Sequence, residues 1–169
     1  MEPADESLLE SLATAVSRQV DALAHLRFKF EVQQLLLAGG RAMYVDETTR
    51  ELQEAIDRVQ ICDASFREAL GLVAARTLGL SPEATLREVA AAAPEPWCYI
   101  FTQGREELRT GIGRVGQLCE ENRKLLARGF LATSEALAML GVATGGISYD
   151  ATGSPVRAPA SAAIINMKA

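Results

Sequence analysis

Apolar side chains recur at alternating steps of three and four along most of the chain, the spacing that gathers one face of an α-helix. The first such seam reads Leu9, Leu12, Val16, Gln19, Leu23, Leu26, Phe30, Gln33 and Leu37, and predicts a helix over about 5–38. Gly39-Gly40 then supplies the backbone freedom with which helices end. A second seam, Val45, Thr49, Leu52, Ile56, Val59, Asp63, Phe66, Leu70, Val73, Thr77 and Leu80, predicts a helix over 47–78. Thr48 and Glu51 have capping-box spacing at its start, and Gly79 lies near its end.

Ser81-Pro82 offers a cap followed by a first-turn proline, which predicts a short helix over 82–92. Pro94-Glu95-Pro96 interrupts it. The third seam runs Trp97, Phe101, Gly104, Leu108, Gly111, Val115, Leu118, Asn122, Leu125, Gly129, Ala132, Ala136 and Met139, for a helix over 96–140. Helices of roughly 30 to 45 residues would be about 45 to 65 Å long. The expected fold is therefore all-α: an elongated antiparallel helical bundle of three long helices with a short extra helix, occupying 1–141. Residues 142–169 are expected to be a flexible C-terminal tail, because they are rich in glycine, proline and small residues and short of large apolar groups.

Gly104, Gly111, Gly113, Gly116 and Gly129 all fall inside the third helix. Each costs about 1 kcal/mol against alanine there. Either a kink or tight helix crossing explains them, or a groove that a partner helix fills.

Composition strengthens the helical reading. Only 5% of the chain is aromatic, and alanine and leucine dominate; both suit helices better than strands. A net charge of −5 argues against nucleic acid and against anionic lipid as partners. The first six residues are acidic rather than basic, unlike a signal peptide, and no apolar run approaches the roughly 20 residues of a membrane span. Cys62, Cys98 and Cys119 are too far apart for a CxxC pair. These features predict a cytoplasmic protein without membrane insertion.

Catalytic chemistry has little to work with, and neither a catalytic residue, a metal site nor a cofactor is expected. His25 is the only histidine, which rules out the HExxH pair of a zinc protease and the Glu-x-x-His pairs of a di-iron bundle. Gly141 to Gly146 lacks the Gly-Lys-Ser/Thr ending of a phosphate loop. Asp63 is expected at the wet edge of the second seam, and the mixed charges of Glu51, Glu54, Asp57 and Arg58 read as a solvated face.

Two stretches resemble a known family. Leu118-Cys119-Glu120-Glu121-Asn122-Arg123-Lys124-Leu125-Leu126 resembles the late-helix pattern of the FlgN-family export chaperones, and Ile147-Ser148-Tyr149-Asp150-Ala151-Thr152-Gly153 resembles that family's Tyr-Asp-x-x-Gly tail motif. The layout of two long helices, a helical insertion, a long last helix and a loose tail is similar over nearly the whole chain. The resemblance implies a bacterial cytosolic chaperone that binds hook–filament junction subunits by their carboxy-terminal helical segments. It implies delivery of those subunits to the cytoplasmic domain of the flagellar type III export gate.

Carried onto this sequence, the cargo face would comprise Leu118, Asn122, Leu125, Leu126 and Phe130, residues that could equally serve the chain's own core. Tyr149, with Asp150 and Gly153, would dock at the gate. The alternative is a coiled-coil adaptor or scaffold without a secretion cargo, joined as a homodimer through the same seams.

Overall fold

The computed structural model describes residues 3–139, 147–149 and 155–157. It is all-helical apart from one pair of short strands. Helix α1 spans Pro3–Ala38 and α2 spans Val45–Leu72, the latter preceded by a 3-10 turn over Ala42–Tyr44 and followed by a π turn over Val73–Thr77. Helix α3 is Leu86–Ala92 and α4 is Trp97–Met139; β1 (Ile147–Tyr149) pairs antiparallel with β2 (Pro155–Arg157). No described helix is long and apolar enough to cross a membrane.

The long helices end where glycine permits. Gly40 takes φ +67° after α1, and Gly79 takes φ +63° after the π turn. Behind Gly40 the chain folds back so that the Arg41 N–H donates to the Leu36 carbonyl at 2.9 Å, satisfying one of the last free acceptors of α1.

Helix starts depart from the sequence expectation in two places. Thr48 does not cap α2: it lies buried inside the helix, and its hydroxyl donates back to the carbonyls of Tyr44 and Val45. Glu51, its supposed reciprocal partner, instead reaches across to α1 and pairs with Lys29 at 3.0 Å. Nor does Ser81 cap α3. Ser81 and Pro82 form a turn closed by the Ala84 N–H on the Ser81 carbonyl, and the helix begins one turn later than expected. The cap there is Thr85, whose hydroxyl accepts from the Glu88 N–H while the Glu88 carboxylate accepts from the Thr85 N–H at 2.7 Å. Both orphan donors are satisfied reciprocally, which Ser81 could not achieve.

The chain divides into two compact units, Met1–Leu126 and Ala127–Ala169. In the first unit, contacts set the helix directions. Lys29 meets Glu51 and Gln33 meets Thr49, so α1 and α2 run antiparallel. Val16 meets Gly104, Leu23 meets Gly111, and Phe30 meets Asn122. Helices α1 and α4 therefore run parallel, as the first and third helices do when successive long helices alternate in direction.

Two apolar clusters fill this unit. One joins Leu9, Leu12 and Val16 of α1 to Val73 and Ala74 of the π turn, Leu86 and Val89 of α3, and Phe101 and Leu108 of α4. The other joins Leu26 and Phe30 to Leu52, Ala55 and Leu118. Helix α3 thus exists to close one end of the unit: its short apolar face, Leu86, Val89 and Ala90, is buried.

The second unit comprises the last turns of α4 and the strand pair, in register Ile147 with Arg157, Ser148 with Val156, and Tyr149 with Pro155. Pro155 opens its strand, a position where its missing N–H removes no interior ladder bond.

Candidate functional site

The third seam holds in α4 only as far as Asn122. Phe101, Gly104, Leu108, Leu118 and Asn122 are buried. Gly104 is a close crossing: a Cβ placed there would come within 2.5 Å of Val16 Cγ1. Gly113, Gly116 and Gly129 would meet nothing within 4 Å, so no tight helix crossing explains them. Of the two readings of these glycines, the tight crossing applies at Gly104.

Asn122 belongs to a buried polar layer. Its Nδ2 donates to the Phe30 carbonyl at 2.9 Å and to Gln33 Oε1 at 3.1 Å, while Gln33 Nε2 donates to Thr49 at 3.4 Å. The layer ties α4, α1 and α2 together at one height. Its directional bonds resist a slip of one helix along another, which an apolar seam alone would tolerate. Beside it, at the surface, Gln34 donates to Glu121 at 2.7 Å.

This layer sorts the sequence-derived cargo residues. Leu118 and Asn122 are buried, and Asn122 is bonded to α1. Leu125 is half-buried. Leu126 and Phe130 are exposed, Phe130 by 73%. One turn separates them, which puts both on one side of the helix. The exposed apolar surface of α4 also includes Leu131 and Met139. Leu131 escaped the sequence reading because it lies off the seam, although its neighbour Phe130 could have pointed to it.

Residues 127–139 contain no buried side chain. Of the expected gate-docking residues, Tyr149 lies in β1, whereas Asp150 and Gly153 lie outside the described residues.

Groups suited to catalysis are scattered. His25 is exposed on α1, the three cysteines are free, and among the described residues no three metal-ligating side chains converge. Asp63 is half-buried and pairs with Arg67 at 2.8 Å, the wet-edge role its position suggested. Glu88 is held below the usual glutamate range by the Thr85 N–H and then by the Thr85 hydroxyl, a capping effect remote from any reactive group.

The described residues thus form a helical scaffold with a buried polar layer and several uncovered apolar side chains on α4. The family model for the FlgN protein matches residues 1–157, and the chain belongs to the FlgN family, which comprises flagellar export chaperones rather than enzymes. No curated protein and no solved structure matched the chain.

Proposed function

We propose that this protein binds hook–filament junction subunits in the bacterial cytoplasm and delivers them to the flagellar type III export gate. The single observation that carries the cargo assignment is Phe130, a large aromatic side chain left 73% exposed on a helix that buries its apolar face elsewhere. An amphipathic helix from the subunit's carboxy-terminal segment would lay its apolar side on Leu125, Leu126 and Phe130. Covering a side chain of that size contributes about 1.5–3 kcal/mol, so these anchors supply part of the roughly 8 kcal/mol of a micromolar complex and the rest of the docked helix must supply the remainder. Family membership supports a flagellar protein as the partner. The Tyr149 segment, with Asp150 and Gly153, would then dock at the cytoplasmic domain of the gate, leaving the helices free to keep the cargo. Three long helices in one antiparallel bundle would form the cargo-bearing body.

Calorimetric titration of the full chain with carboxy-terminal fragments of the junction subunits tests this. A 1:1 complex that Phe130→Asp abolishes supports the cargo surface; equal affinity for the substituted chain overturns it. Separately, Tyr149→Ala should spare cargo binding and impair secretion in cells, and normal secretion would sink the docking role. The same exposed face also favours a second reading, a self-associating adaptor in which Phe130 meets its copy. Sedimentation separates the two, since a dimer that persists with Phe130→Asp, or a monomer at all concentrations, counts against that pairing.

A further inference from the structure

The first unit carries a cleft that the seam argument does not account for. It has a volume of about 920 Å³ and lies between Asp63–Leu70 of α2, the segment 82–87 leading into α3, and Arg105–Ile112 of α4. Its floor is apolar, made by Phe66, Leu70 and Leu108, with Ile112 60% exposed at one edge. Four arginines stand around it: Arg67, Arg87, Arg105 and Arg109. Only two acidic side chains, Asp63 and Glu83, line the same cleft. In a chain whose net charge is −5, this excess of cations is a local reversal of sign.

Three of the four arginines are held in ion pairs, and with Glu106 counted beside Asp63 and Glu83 the cations around the cleft exceed the anions by one. Arg67 pairs with Asp63, while Arg105 and Arg109 share the single carboxylate of Glu106, at 3.0 and 3.1 Å. Arg109 and Arg67 keep most of their side-chain surface in solvent, 72% and 77%. Such pairs exchange partners at little cost, because an exposed ion pair is worth about 0–1 kcal/mol. A carboxylate brought by a partner can therefore take over a guanidinium fork without first breaking a strong bond.

We infer that this cleft receives an acidic amphipathic helix of a partner protein, whose apolar side chains enter the floor while its carboxylates meet the arginine rim. The two long walls are each eight residues of helix, about 10 Å, which matches two turns of a docked helix with anchors at i and i+3 or i+4. A nucleic acid would need an extended basic face, longer than the two eight-residue walls of this cleft. A small anion would leave the apolar floor wet. The inference does not rest on the Phe130 surface, and it stands or falls separately from the cargo assignment.

The probe is a labelled synthetic helix of about 18 residues, long enough to be partly helical alone, with leucine at helical spacing and glutamate elsewhere. A control peptide carries lysine in place of every glutamate. Fluorescence anisotropy with the full chain should show saturable binding of the acidic peptide, and binding of the lysine peptide at least about tenfold weaker. The pair Arg105→Glu and Arg109→Glu, and separately Ile112→Asp, should each weaken the acidic peptide about tenfold or more. All three positions are at the surface, so circular dichroism should be unchanged, and Phe130→Asp should leave this binding intact. Equal affinity for both peptides, or undiminished binding to the cleft variants, overturns the inference.

Discussion

Phe101 and Phe130 sit on the same helix, and their surroundings could hardly differ more. Phe101 is fully buried, stacked near Trp97 with ring centroids 5.9 Å apart and enclosed by the cluster that α1, the π turn and α3 complete. Phe130 is largely in solvent. Local sequence makes a helix in both places, and both side chains favour removal from water equally. What differs is whether the chain itself provides cover. Periodicity therefore locates an apolar face but does not say whose atoms complete it.

The sharpest way to break this comparison is to truncate both rings. Phe101→Ala should cost about 3–5 kcal/mol of unfolding free energy in urea titrations. Phe130→Ala should shift stability by no more than about 0.5 kcal/mol while weakening cargo-fragment binding about tenfold. Similar losses of stability at both positions would show that Phe130 belongs to a core after all.

Next in size is the polar layer where the buried part of α4 ends. Asn122→Ala removes both donated bonds and strands the Gln33 carbonyl oxygen, which should cost about 1–3 kcal/mol. A neutral result would mean that the layer contributes no stability and that register is held by the apolar seams alone.

Glycine substitutions sharpen the contrast from the backbone side. Gly104→Ala drives a methyl into Val16 and should destabilise by about 1–3 kcal/mol. Gly116→Ala, with open space around it, should stabilise by up to about 1 kcal/mol through helix propensity. Thermal melts of the two variants should move in opposite directions.

The smallest effect concerns the α3 cap. Because the folded-state pKa of Glu88 is depressed, its contribution to stability is present above the ordinary glutamate value of 4.5 and is lost as pH falls through the lower folded value. Wild type should therefore melt above Glu88→Gln at neutral pH, and the gap should close in acid. A gap independent of pH would remove the charge from the explanation.

How much of this was legible in the sequence varies by element. The α1 seam was read almost residue by residue, including Gln19 and Gln33, which are buried as the spacing required. That helix is covered along most of its length, so position in the pattern and burial coincide. The α2 seam transferred less well: Val59, Phe66 and Leu70 are only half-buried, and one side of that helix opens onto the arginine cleft. Helix starts misled because Thr48–Glu51 and Thr85–Glu88 have the same spacing, and only the second lies at a true helix start. At the candidate sites, Leu126 and Phe130 were suggested by the family resemblance and not by the helical spacing, since neither lies on the third seam. The arginine cleft could not be read at all, since residues 67, 87, 105 and 109 come from three different elements and meet only through the topology.

The parallel pairing of α1 with α4 also bears on the order in which the protein assembles. Gln33 and Thr49 are 16 residues apart, whereas Asn122 and the Phe30 carbonyl are 92 apart. Closing the longer loop costs more chain entropy, so the α1–α2 hairpin should form first and α4 should dock last. Leu118→Ala should then speed unfolding far more than it slows folding, whereas Leu52→Ala should slow folding; the reverse pattern in stopped-flow kinetics would reject this order. A helix that is last to dock is also the first to let go, and the surface proposed for cargo lies on that helix.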